Sequence, residues 1–327
     1  MRTIDFVSNK RITEQLGILI DAGHFPHALL LEGDTGLGKK TLARLLACAL
    51  VCREENGPCM TCSQCRKVIN GYHPDVLTYA AQGGEGSFKV ETVREIINEA
   101  YISPNEARYK IFLLGEVDKM NASAQNALLK ILEEPPGYVI FIMTALTKTK
   151  MLETVLSRSV VMTLEGVDVQ EGAQYITEHN EGIEFAEAEK ALFLSNGNIG
   201  TATEILLKGR MSELTELCAD ICKGILANDE YRLLRTLSPL IGDRQGTALV
   251  LDMLKNIFRD AVVDTNGSNL LSGQRESAEL LRKSITKKRL TQLVFLCDEL
   301  RYKTLANCNS QLLVTKICCS LRQTAGR

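Results

Sequence analysis

Tryptophan is missing from this sequence altogether, and aromatic residues make up only 5% of its 327 positions. A groove that stacks single-stranded bases on aromatic rings needs more than that. Neither sign of charge dominates: 38 Lys and Arg stand against 40 Asp and Glu, a net of −2. Without a broad positive field, contact with nucleic acid or an acidic membrane has to be local or made within an assembly. Long hydrophobic runs are absent too. Stretches such as Ala28–Leu31 and Ile111–Leu114 fall far short of the ~20 residues of a membrane span. The opening Met-Arg-Thr-Ile-Asp-Phe lacks the basic-then-apolar grammar of an export signal. A soluble, cytoplasmic chain with no membrane partner is expected.

Cysteine, by contrast, is plentiful, with eleven residues. Six lie in helical-looking stretches of the last third: Cys218, Cys222, Cys297, Cys308, Cys318 and Cys319. They read as small buried hydrophobes rather than disulfides. The other five, Cys48, Cys52, Cys59, Cys62 and Cys65, crowd into one short segment. Cys59, Cys62 and Cys65 are separated by two-residue spacers, with Cys52 upstream. Four thiolates so spaced can converge on a tetrahedral zinc ion, with no position left open for water, which makes the site structural. The turn Arg53–Pro58 would bring Cys52 back to the others. Alternatives are Cys48 as fourth ligand, His73 as a competitor, or a set of reduced or redox-active thiols.

At about 150 residues per domain, the length suggests two or three domains. The first half alternates apolar runs with helix-period segments, as βαβ units around a parallel sheet do. Strands are expected at Ala28–Glu32, Val76–Ala80, Lys110–Leu114, Tyr138–Thr144 and Val160–Thr163. Helices are expected at Lys39–Cys52, Val90–Tyr101 and Ala122–Glu134, the last stopped by Pro135-Pro136. Short helices follow at Val169–His179, Phe185–Leu194 and Ile199–Gly209. From about 212 on, longer amphipathic helices break near Asn228-Asp229, Gly242-Asp243 and Asn266–Gly273. The expected boundaries are an α/β domain over 1–165, a small helical domain over 166–210 and an all-α domain over 211–327. The basic run Arg282–Arg289 reads as the solvated start of a helix.

Gly33-Asp-Thr-Gly36-Leu-Gly38-Lys39 lies between a strand and a helix, the context of a phosphate-binding loop. In such a loop, backbone N–H groups turn onto phosphates, the lysine reaches the β and γ oxygens, and a following hydroxyl holds Mg²⁺. Gly33, Gly36, Gly38 and Lys39 fit. Position 40 does not, because it is Lys40. Thr41 carries a hydroxyl but lies about 100° further around the helix. A working site also needs a carboxylate pair after a later strand, one for metal and one for water. Lys110–Leu114 instead runs into Gly115-Glu116-Val117-Asp118. Glycine stands where the metal carboxylate belongs, and Glu116 keeps only the water-orienting role. Two missing metal ligands point to abandoned hydrolysis. Whether ATP still binds stays open, and the bland alternative is a glycine-rich turn with no ligand.

At this point the chain resembles the clamp-loader branch of the AAA+ ATPases. His27-Ala-Leu-Leu-Leu-Glu-Gly33 is similar to that family's first strand, and Asn126-Ala-Leu-Leu-Lys130 with Leu132-Glu-Glu-Pro-Pro136 to its most distinctive helix. Leu156-Ser157-Arg158-Ser159 resembles its Ser-Arg-Cys motif, with serine for cysteine. Asn307-Cys-Asn-Ser-Gln-Leu-Leu313 resembles a C-terminal signature of the branch's hydrolysis-deficient member. Gly71-Tyr-His73-Pro74-Asp75 and Gly197-Asn-Ile-Gly200-Thr-Ala202, with Gly200 at a sensor-arginine position, follow the hydrolysis-deficient member rather than the ATP-hydrolysing gamma/tau type. The resemblance implies an AAA+-like P-loop domain carrying a zinc module at about 52–65, a small helical lid and an all-α collar. It implies gamma/tau and delta subunits as partners, and the sliding clamp and primed DNA through the complex. Arg158, which alone would read as a surface charge, becomes an arginine finger acting on a neighbouring subunit's ATP. The alternative is an active gamma/tau-type ATPase that recruits Thr41 and Glu116.

Overall fold

The computed structural model describes residues 4–54, 56–81, 88–227, 229–263, 270–305 and 309–326. Expectations touching Glu55, Asn228, Asn266–Asn269, Asn307 and Cys308 lie outside the described residues. Two units emerge: one runs through Tyr175 and takes in Asn198–Gly200, and the other comprises Ile176–Gly197 and the chain from Thr201 on.

The first unit is built on five parallel strands: β1 (Ala28–Glu32), β2 (Val76–Ala80), β3 (Lys110–Gly115), β4 (Val139–Ala145) and β5 (Val160–Thr163), in the order β2-β3-β4-β1-β5. Its helices are α1 (Lys10–Asp21), α2 (Lys39–Val51), α3 (Ser63–Ile69), α4 (Val90–Ala100), α5 (Ala122–Glu133) and α6 (Glu153–Leu156). Strands β1, β3 and β4 are near-continuously apolar because helices cover both of their faces. Leu29, Leu31, Ile111 and Ile142 pack with Leu42 and Leu46 of α2. Leu30, Phe112, Phe141 and Met143 point the other way, onto Val93 and Ile96 of α4 and Leu128 and Ile131 of α5. The Phe112 and Phe141 rings stack at 5.2 Å. Asn121 caps α5 by accepting from Ala124 N at 2.9 Å, and Pro135-Pro136 follows its end. The parallel order gathers the turns after β1, β3 and β4 at one end of the sheet, where ligands of open α/β folds bind.

The second unit is helical. Helix α7 (Val169–His179) starts in the first unit and ends in this one, and α9 (Ile199–Leu207) belongs to it from Thr201 on; α8 (Phe185–Leu194), α10 (Met211–Leu226), α11 (Glu230–Leu237), α12 (Arg244–Val262), α13 (Arg275–Ser284), α14 (Lys287–Leu305) and α15 (Ser310–Ala325) lie wholly within it. Helices α12 and α14 form its central pair, around Leu254, Phe258, Leu293 and Leu300. Cys218, Cys222, Cys297 and Cys318 are buried in that core, and burial pushes the Cys222 thiol up to about 12. Cys319 departs from expectation: it is exposed, with Sγ 3.5 Å from Glu230 Oε1.

The basic run Arg282–Arg289 also needs correction, since it is the junction of two helices. Arg282 and Lys283 close α13, where cations suit the negative end of the helix dipole. Ile285 is buried and extended, and Thr286 O accepts from Leu290 N at 3.0 Å as α14 begins. Arg289 donates to Ala325 O at 3.3 Å, at the end of α15. Asn309 caps the start of that helix, its side chain accepting from Gln311 N and Leu312 N. No helix among the described residues is long and apolar enough to cross a membrane.

Candidate functional site

The loop after β1 carries Gly33, Gly36 and Gly38 at φ 150°, 94° and 83° before α2 begins at Lys39. Lys39 Nζ donates to the loop's own Gly33 O at 2.5 Å and Asp34 O at 2.8 Å. Burial pulls this ammonium below its usual pKa. The segment Asn198–Gly200 lies directly on the loop: Asn198 Nδ2 donates to Thr35 O at 2.8 Å and Gly200 N to Gly36 O at 3.1 Å. A Cβ on residue 200 would sit 2.7 Å from Gly36 Cα. Only glycine allows so close an approach of the two backbones, so Gly200 seats the segment on the loop.

Beside the loop, β3 ends at Gly115, and a side chain there would lie 3.6 Å from Lys40 Cε. Lys40 Nζ reaches Glu116 Oε1 at 2.9 Å, and Lys119 Nζ reaches Glu116 Oε2 at 2.5 Å. These two lysines hold the Glu116 carboxyl down to about 2. Glu116 N donates to the Oγ1 of buried Thr144, at the end of β4, at 3.1 Å. Lys40 thus stands at the hydroxyl position of a P-loop and Gly115 at its carboxylate position, and Lys40 pairs with the adjoining Glu116. Thr41 is exposed on α2. The structure brings Gly33, Gly36, Gly38, Lys39, Lys40 and Glu116 to one end of the sheet.

Arg158 lies at the other end. It follows α6, just before β5, whose Val160 pairs with Leu29 at the start of β1. Strand β1 has five residues, so at ~3.3 Å per residue its two ends are about 13 Å apart. The guanidinium borders an open cleft of about 710 Å³ shared with Pro26, His27 and Leu132. Nη1 donates to Thr154 O at 3.0 Å and Ser157 Oγ at 3.3 Å, and Nη2 pairs with Glu133 Oε1 at 2.9 Å. The arginine side chain remains 35% exposed.

Cys52, Cys59, Cys62 and Cys65 form the third cluster, their sulfurs all within 4.8 Å of one another. Zinc–sulfur bonds of ~2.3 Å place tetrahedral sulfurs ~3.8 Å apart, so this donor set fits a four-coordinate zinc ion. Cys62 N points to Cys59 Sγ at 3.3 Å and Cys65 N to Cys62 Sγ at 3.4 Å. Backbone N–H groups of Cys62 and Thr61 hold the Cys59 thiol down to about 6. Cys52 is brought in at the end of α2, where the chain folds back so tightly that a Cβ on Gly57 would lie 2.6 Å from Cys52 Sγ. Cys48 stands outside the cluster, fully buried with its thiol pushed up to about 11, chiefly by burial.

His73 is not a member either. Its Nδ1 accepts from Asp75 N at 3.0 Å and its Nε2 bonds Gln64 Oε1 at 2.6 Å, tying α3 to the start of β2. Burial raises the Asp75 carboxyl, but the N–H groups of Asn105, Glu106 and Ala107 outweigh it and hold it low. Sequence reasoning missed Asn198, Gln125 and Glu133. Glu133 carries a signal in hindsight, since a carboxylate in the last turn of a helix opposes the dipole and needs a reason to be there.

A family model described as DNA polymerase III, delta subunit, matches residues 8–168. The DNA polymerase III subunit gamma of Buchnera aphidicola is 29% identical over 77% of this chain and 72% of its own length. The subunit tau of Salmonella typhimurium is 30% identical over 84% of this chain but 40% of its own length. That of Bacillus subtilis is 25% identical over 98% of this chain and 62% of its own. The chain therefore spans less than two thirds of these tau proteins.

Proposed function

We propose that this chain, similar to gamma and tau subunits of DNA polymerase III, is the hydrolysis-deficient, delta-prime-type member of a clamp-loader complex. One observation carries this reading: the Lys40–Glu116 ion pair beside Gly115. A P-loop enzyme needs Mg²⁺ to bridge the β- and γ-phosphates and neutralise the charge that develops as they separate. Here a tethered ammonium lies where the metal's hydroxyl ligand belongs, and it is already paired with the Glu116 carboxylate. ATP bound in this loop would find phosphate donors, but not the hydroxyl and carboxylate that hold its metal in a working P-loop site.

In this reading the chain is a fixed partner of gamma/tau and delta subunits, acting on the sliding clamp and primed DNA through the complex. Arg158 serves an adjoining subunit's ATP. Its place at the opposite end of the sheet from the chain's own loop supports action in trans. The guanidinium would stabilise charge on the γ-phosphoryl group. Residues 166–210 would form the lid and 211–327 the collar, and the four cysteines at about 52–65 would hold a structural zinc that stiffens the end of α2.

The test is steady-state ATP hydrolysis by the isolated chain with and without Mg²⁺. The expected result is no turnover above background in either case. Robust Mg²⁺-dependent turnover that disappears in Lys39→Ala would instead make this an active ATPase of the gamma/tau type.

A further inference from the structure

We infer that Glu133 is a positioning residue that holds the Arg158 guanidinium ready for a neighbouring subunit's phosphoryl group; this rests on the reading of Arg158 given above. The contact is direct: Arg158 Nη2 lies 2.9 Å from Glu133 Oε1, while Nη1 is fixed by Thr154 O and Ser157 Oγ. The guanidinium is therefore held from two sides at the rim of the cleft.

Neither helix formation nor stability accounts for Glu133. It is the last residue of α5, where the negative end of the dipole disfavours a carboxylate. The pair is also open, with side chains 35% and 50% exposed, and exposed pairs contribute little to stability. What the carboxylate does is restrict a long side chain that would otherwise sample many rotamers. The same helix already holds the backbone leading to Arg158. Buried Gln125 of α5 accepts from Leu152 N at 2.7 Å and donates to Lys150 O at 3.1 Å. Helix α5 thus fixes the start of the arginine segment through Gln125 and the charged tip through Glu133.

The test uses the clamp loader reconstituted from its cognate subunits, with Glu133→Ala, Glu133→Asp, Arg158→Ala and the Glu133→Ala/Arg158→Ala double variant. Misplacing a catalytic group by ~1 Å can cost about 100-fold. Glu133→Ala is accordingly expected to lower kcat for ATP hydrolysis by on the order of 10- to 100-fold, with KM within about twofold. Glu133→Asp should recover part of the loss, and the double variant should be no slower than Arg158→Ala. The thermal unfolding midpoint of the isolated chain should not move. A slow Arg158→Ala beside a Glu133→Ala complex as fast as wild type, or faster, would overturn the positioning role alone. A neutral Arg158→Ala would remove the finger reading, and Glu133's role with it.

Discussion

The two ends of the parallel sheet carry opposite kinds of cation site. At the carboxyl end of β1 these groups are turned onto their own chain: Lys39 onto Gly33 O and Asp34 O, Lys40 onto Glu116, and Asn198 and Gly200 onto the loop carbonyls. At the amino end, Arg158 borders an open cleft with a third of its side chain exposed. Lys40 and Arg158 are each paired with a carboxylate of the same chain, but Lys39 is folded back onto its own loop whereas Arg158 borders an open cleft. The sharpest way to break this comparison is to remove each lysine or arginine within the assembled complex. Arg158→Ala should slow hydrolysis at the adjoining site by ~10³-fold or more, whereas Lys39→Ala should leave that site at its original rate. Equal effects in stopped-flow phosphate release would mean that the two ends act on one nucleotide.

A second contrast lies between the loop and the cysteine cluster, both of which sequence spacing marked as places for a metal. In the loop a lysine and a glycine occupy the two ligand positions of a P-loop, at 40 and 115; in the cluster four sulfurs converge within 4.8 Å. Elemental analysis should find about one zinc per chain, and Cys52→Ser should reduce it several-fold. Structural zinc is coupled to folding by several kcal/mol or more, so chelation should lower the thermal midpoint and expose the 52–69 segment to proteolysis. Hydrolysis at an adjoining site should fall far less than with Arg158→Ala. If wild type and Cys52→Ser hold equal, near-zero zinc, the cluster is a set of free thiols.

How much of this was legible beforehand depended on the range of the interaction. Strands β1, β2 and β5 have the expected bounds because a buried parallel strand is a short apolar run between turn residues, a purely local signal. The cysteine spacing is local as well. Helix α3 was hidden because Ser63–Ile69 is short and its Cys65, with Cys62 just before it, invited a reading as ligands alone. At 282–289 the charge run concealed the break at Ile285-Thr286, although a threonine just before a basic helical turn is itself a start signal. Loss of the hydroxyl and the carboxylate could be read from Lys40 and Gly115 separately. That Lys40 would reach Glu116 could not, because it depends on how β1 and β3 are aligned through β4. Glu133 and Arg158 meet for the same kind of reason, across separate elements.

The smallest expected effect tests whether the Lys40–Glu116–Lys119 cluster is a replacement for a metal site or a stabilising device. Glu116 has its carboxyl lowered from 4.5 to about 2 by Lys119 and Lys40. A shift of that size in a buried group would amount to several kcal/mol, but here the carboxylate is 35% exposed and the lysines 64% and 48%. Solvent screening reduces such pairs to about 1 kcal/mol or less. The sign follows from the lowered pKa: the contribution is fully present above the unfolded value of 4.5 and disappears as pH falls toward 2. Urea unfolding of wild type and Glu116→Gln should therefore differ by about 1 kcal/mol or less near neutral pH. The two should converge in acid, and the neutral gap should narrow in high salt. A difference of about 3 kcal/mol or more that persists in high salt would instead make the cluster a structural keystone. The lysine at position 40 would then be explained by folding and not by the loss of magnesium chemistry.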